Sequence, residues 1–186
     1  MSRSRRILVI DPTLASVTLM ILAVAAMRLL PHPPNFTPVL AMALFGGSRL
    51  GNRTAALAVP LGAMLASDVA IEIVHGRGLH LLLPVVYLCV ALCVGVGWRL
   101  RRRRGVVRVV GAAVGGSALF YLVTNFAVWA LWSGYPMNLA GLVECYVAAV
   151  PFFRSTLLST LLYSSVLFSA HELVRSRVRR SSADAT

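Results

Sequence analysis

Long apolar runs that end in arginine dictate most of what this chain can become. Six segments approach the roughly 20 apolar residues that cross a bilayer core: residues 14–30, 36–50, 54–74, 81–98, 109–132 and 155–174. Only 13% of the 186 residues are charged, against about 25% in an ordinary soluble domain. So few charges cannot cover a water-facing surface. Disordered chains, disulfide scaffolds and most soluble enzymes are excluded on the same ground. The expected fold class is an all-α membrane protein, a six-transmembrane-helix bundle that makes one integral membrane domain of residues 1–186.

The breaks between runs have local causes. Pro31-His32-Pro33-Pro34-Asn35 ends the first run. The second is short and holds Gly46-Gly47; it reads as a short tilted helix, with a re-entrant segment as the alternative. The stretch 139–174 is too long for one span, and Pro151 divides it, since proline lacks an amide hydrogen. Residues 139–150 are therefore expected to form a separate helix at the outer surface. Arg3, Arg5 and Arg6 before an apolar run, with Ala23-Val24-Ala25 further on, have the form of a signal peptide. The apolar run continues to Leu30, which favours an uncleaved helix.

All 18 basic residues are arginine. Fifteen lie near Arg3 to Arg6, Arg49 and Arg53, Arg99 to Arg108, and Arg175 to Arg180; only Arg28, Arg77 and Arg154 fall toward the other face. Such alternation follows the positive-inside rule and places both termini in the cytoplasm. The net charge of +12 does not signal nucleic acid, because no stretch between the runs is long enough to carry a basic face. Membrane lipid is the expected partner of these arginines.

Small residues recur every four positions at Ala58, Gly62, Ala66 and Ala70, at Ala43, Gly47 and Gly51, and at Gly111 and Gly115. In lipid such stripes let helices approach closely, so they are expected to pack within the bundle. Ionisable groups inside a span are expensive and suggest function. Asp68, Glu72 and His75 share a helix face in the outer part of the third run. Asn35 and Thr37 begin the second run from the outside, and Tyr121, Asn125 and Trp129 form a stripe climbing outward to Trp132 and Tyr135. Glu144, Tyr146 and Arg154, with His32 and His80, belong to the same outer half. These groups converge on an expected outward-opening polar cavity. Trp132 and Tyr135 also fit an aromatic belt, Asn125 fits a helix-to-helix hydrogen bond, and Asp68 either lines a site or pairs for structure. His32, His75 and His80 with Asp68 and Glu72 could ligate a divalent cation, but no HExxH, paired CxxC or two-histidine i, i+4 pattern supports a metal site, and no nucleotide-binding or catalytic motif is present. No metal, cofactor or enzymatic activity is expected.

The run Pro31-His-Pro-Pro-Asn-Phe-Thr-Pro-Val-Leu-Ala-Met-Ala-Leu-Phe-Gly-Gly47 is distinctive. So are Ser67-Asp68, Phe120-Tyr-Leu-Val-Thr-Asn-Phe-Ala-Val-Trp129 and Cys145-Tyr-Val-Ala-Ala-Val-Pro-Phe-Phe-Arg154. Together they resemble an uncharacterised family of small bacterial inner-membrane proteins, which is similar to the S components of energy-coupling-factor (ECF) transporters. The resemblance implies a substrate-binding subunit for uptake of a vitamin-like micronutrient in the bacterial inner (cytoplasmic) membrane. It implies a transmembrane coupling subunit with ATPases as partner, and a small-molecule ligand held by Asn35, Phe36, Thr37, Asp68, Asn125, Trp129 and Tyr146. The chain departs from the AxxxA docking pattern of S components, since Leu19 follows Ala15 by four. The alternative function is a non-transport scaffold or assembly factor whose small-residue stripes bind partner helices.

Overall fold

The computed structural model describes residues 12–76, 80–102, 105–131 and 134–183, and these described residues form seven α-helices. They are α1 (Pro12–Ala26), α2 (Val39–Arg49), α3 (Arg53–His75), α4 (Leu83–Arg99), α5 (Val106–Leu131), α6 (Leu139–Ala148) and α7 (Val150–Ala183), with a 3-10 turn, Met27–Leu29, after α1. There is no strand among the described residues. Arg3, Arg5, Arg6, Arg77, Arg103, Arg104 and Trp132, which entered the charge and aromatic-belt expectations, lie outside the described residues.

Helix ends follow local chemistry. The Asn52 side chain accepts from the Thr54 amide at 2.8 Å and starts α3, and the Asn138 side chain accepts from the Gly141 amide at 2.9 Å and starts α6. Each satisfies an amide that the helix leaves without a partner. Gly76 closes α3 in the left-handed conformation, φ 62°, with its amide donating to the Glu72 carbonyl; a side chain there would be strained. Pro151 is the second residue of α7, where a missing amide hydrogen costs nothing. The boundary between α6 and α7 thus falls beside the proline.

The expected count of six membrane-crossing helices is corrected: the described residues form seven helices, of which fewer than six have the length and composition of a span. Three helical segments are long and apolar enough to cross a membrane: Arg53–His75, Val106–Leu131 and Val150–Arg177. The remaining apolar helices have 10–17 residues. Apolar composition reveals a buried helix but not its length, and α2 shows why. Its 11 residues rise about 16 Å, roughly half a bilayer core. All eleven are buried, because α1, α3, α4, α5 and α7 all pack on it. It reads as a span by composition and is instead the central strut of the bundle.

Close backbone approach holds that strut. A Cβ on Gly47 would overlap the Val94 carbonyl, and a Cβ on Gly97 would overlap the carbonyl of Leu44. Helices α2 and α4 therefore cross with their backbones nearly touching, as small residues permit. The stripe expected to pack on α3 does not do so. Ala58, Gly62 and Ala66 are exposed, and a Cβ on Gly62 would meet nothing within 4 Å. The buried face of α3 instead carries Ala56, Pro60, Ala63, Met64, Ser67 and Asp68. Gly51, Gly111 and Gly115 also face open space, while Gly116 beside them approaches Cys93.

The end of the bundle rich in arginine is knitted by those same side chains. Arg49, 3% exposed, reaches Glu172 at 2.8 Å and lies over Phe168 at 5.2 Å. Arg53 and Arg101 stack on Trp98 at 4.5 and 5.1 Å, and Arg101 donates to the Gly51 carbonyl at 3.1 Å. The link between α2 and α3 is thus tied to the link between α4 and α5.

Candidate functional site

At the opposite end of the bundle the helices part around a partly open cavity of about 380 Å³. Its floor comes from the start of α2, Val39 and Leu40, with Met64 of α3. The walls are built by Leu82 and Val86 near the start of α4, by Phe120, Tyr121, Thr124, Asn125 and Val128 of α5, and by Phe152, Phe153 and Thr156 of α7. Cys145, Ala148 and Ala149 close one side, and Arg28, Asn35, Thr37, His80 and Tyr135 arrive from the connecting segments. This volume is in the range of ordinary small-molecule sites.

A turn sets Asn35 in place. The Phe36 amide donates to the Pro33 carbonyl at 3.0 Å, so Pro34 and Asn35 are the two central residues. Asn35 has φ 60°, the positive value that the second central position of a type II turn needs, and proline favours the first. Asparagine tolerates this conformation better than most residues. The Pro-Pro-Asn-Phe order thus explains why the loop folds back toward α2.

Asn125 projects from the middle of the α5 wall. Its side-chain amide donates to the Tyr121 carbonyl at 2.7 Å, which leaves its own carbonyl oxygen to accept from a ligand. The wall is stiffened by a reciprocal tie between α5 and α6. The Tyr121 hydroxyl donates to the Tyr146 carbonyl and the Tyr146 hydroxyl to the Leu122 carbonyl, each at 2.6 Å, with the two rings edge to face at 5.4 Å.

Of the seven ligand residues implied by the resemblance, Asn35, Thr37 and Asn125 line the cavity, and Phe36, Asp68, Trp129 and Tyr146 lie outside the lining. Phe36 packs against Tyr163 at 6.2 Å. The Trp129 indole donates to the Pro136 carbonyl at 3.0 Å and so anchors the segment leading into α6. Tyr146 serves the tie just described. Asp68 is engaged within the protein. Its carboxylate is 2% exposed and is taken up by Arg28 Nη2 at 2.6 Å and the Tyr87 hydroxyl at 2.8 Å. Arg28 also donates to the Met64 carbonyl at 3.3 Å and to the Ser67 hydroxyl. Of the two open readings of Asp68, pairing is the one the geometry realises: a carboxylate buried among apolar residues needs a cation and hydrogen bonds.

Arg28, Phe152, Phe153 and Thr156 were missing from the expected ligand set. Arg28 was visible only as one of three arginines on the sparse side, and its partner lies 40 residues away. Glu144, Arg154 and His75 are exposed and lie outside the lining. Among the described residues no group of three His, Cys, Asp or Glu side chains is placed to hold a metal ion.

Residues 9–182 match a family described as a family of unknown function, DUF6580, and the chain belongs to that family. No curated protein and no solved structure matches it.

Proposed function

We propose that this DUF6580 member is a membrane-embedded binding subunit for the uptake of a small, ring-containing micronutrient, similar in role to the S components of ECF transporters. The observation that carries the reading is the cavity, with flat apolar walls from Phe120, Tyr121, Phe152 and Phe153 and a polar edge from Asn35, Thr37, Thr124 and Asn125. Rings orient and enclose a planar ligand, and a few amides and hydroxyls select its polar edge. Such groups bind rather than catalyse. With no nucleotide-binding motif in the chain, energy would come from a transmembrane coupling subunit with ATPases, the partner that the resemblance implies.

In this proposal α3, α5 and α7 cross the bacterial inner membrane, α4 returns the chain between α3 and α5, and the end rich in arginine faces the cytoplasm. The cavity then opens outward. A reporter fused after Thr186 should read as cytoplasmic, and one inserted at Gly134, between α5 and α6, as periplasmic. The reverse pair of signals would overturn the orientation.

Binding is tested by thermal-shift screening of the purified full chain in detergent against vitamins and nucleobases, followed by titration. Losing one hydrogen bond to a buried ligand group costs about 1–3 kcal/mol, or roughly 5- to 150-fold in affinity. Asn125→Ala is expected to weaken binding of any hit by that factor. A hit that binds Asn125→Ala and Thr37→Val as tightly as the parent protein puts the site elsewhere. If nothing binds and a membrane partner co-purifies in fixed ratio, the scaffold function replaces this one.

A further inference from the structure

We propose that the cavity selects an anion: its ligand is a small planar molecule carrying a carboxylate or phosphate group, met by the Arg28 guanidinium and the amino end of α2, on the premise that the cavity is the ligand site proposed above. Among the described residues, Arg28 is the only arginine in the lining, and no aspartate or glutamate joins it. The carboxylate that pairs with Arg28 is buried and outside the lining. The ion pair therefore turns its positive member to the cavity and keeps its negative member in the protein. One N–H of the guanidinium, at Nε, is buried with no hydrogen-bond partner. A buried donor left in that state is costly, so the guanidinium keeps hydrogen-bonding capacity that the protein itself does not use.

The amino end of α2 adds to the same field. Val39 and Leu40, its first two residues, line the cavity. The residue before them is Pro38, and no side chain caps the helix. The first-turn amides of a helix carry partial positive charge and favour an anion. Because all of α2 is buried, the cavity is where a group from outside can meet those amides. Short helices that begin inside a membrane domain meet anionic groups in this way. A cationic ligand would be disfavoured by both elements, and a neutral one would leave the positive end of α2 without a counter-charge.

Matched probes test the charge separately from the shape. Benzoate, phenyl phosphate and benzamide are titrated against the full chain in detergent by calorimetry and thermal shift. The acids are expected to bind at least about tenfold more tightly than the amide, the size of effect a charge-assisted hydrogen bond supplies. The double variant Arg28→Gln/Asp68→Asn keeps hydrogen-bonding groups in place without their charges, and should bring acid and amide to equal affinity. Thr37→Asp sets a fixed carboxylate before α2 and should abolish binding of the acids even if the double variant fails to fold. Equal binding of acid and amide to the parent protein overturns the anion inference and leaves the cavity as a ligand site. An acid preference that survives in both variants also overturns it. If neither acids nor amide bind and the hits of the vitamin and nucleobase screen are uncharged, the anion inference falls alone; if that screen also finds nothing, the binding reading falls with it.

Discussion

Gly47→Leu is expected to eliminate folded protein, while Gly62→Leu leaves the melting temperature of the parent unchanged. A Cβ on Gly47 would overlap the Val94 carbonyl, whereas one on Gly62 would meet nothing within 4 Å. Overpacking costs about 1–3 kcal/mol when flexible side chains can yield. Here the obstacle is the backbone of α4, and α2 cannot retreat, because five helices surround it. The loss should therefore reach the size of the whole stability, about 5–15 kcal/mol. Even Gly97→Ala, whose single methyl would overlap the Leu44 carbonyl, should lower the melting temperature measurably. Monodisperse yield of a fluorescent fusion in detergent, followed by a melting curve, reports both. Parent-like behaviour of Gly47→Leu would mean that α2 and α4 do not cross this closely.

The second large effect concerns the ion pair beside the cavity. Asp68→Leu leaves the Arg28 guanidinium, 11% exposed, without its counter-charge. Breaking a buried pair from one side costs about 3–5 kcal/mol, whereas replacing both members with apolar residues is often neutral. Arg28→Met/Asp68→Leu should thus recover most of the stability that Asp68→Leu removes. Tyr87→Phe deletes only the hydroxyl that donates to Asp68 and should cost about 1 kcal/mol. Thermal unfolding of the four proteins in one detergent decides the matter. A single variant as stable as its parent would show that the pair holds nothing together.

Local signals explain how much of this architecture can be read from residue order. Apolar runs, the caps at Asn52 and Asn138, Gly76 after α3 and Pro151 at the start of α7 act within a few residues of where they stand. The segments expected at 54–74 and 139–150 accordingly lie within a few residues of α3 and α6. The turn that presents Asn35 is legible for the same reason, being specified by Pro34 and Asn35 themselves. The convergence of Asn35, Thr37 and Asn125 could be anticipated because each sits near the same end of its own apolar run.

Three features were settled only when the helices came together. Composition made α2 a span, but its surroundings make it a buried strut, and no residue of α2 records how many helices will pack around it. Small residues at every fourth position mark a face through Gly62, yet the buried face of α3 is another, through Ala56, Pro60 and Ala63. Which is buried depends on the rotation of α3 against α2, set by partners distant in sequence. Asp68 could line a cavity or pair with a cation, and the choice fell to Arg28 and Tyr87, 40 and 19 residues away. Hydropathy and capping are sums over neighbouring residues, so the chain specifies them one segment at a time. Burial, close approach and charge pairing are properties of two surfaces meeting, and they exist only in the assembled bundle.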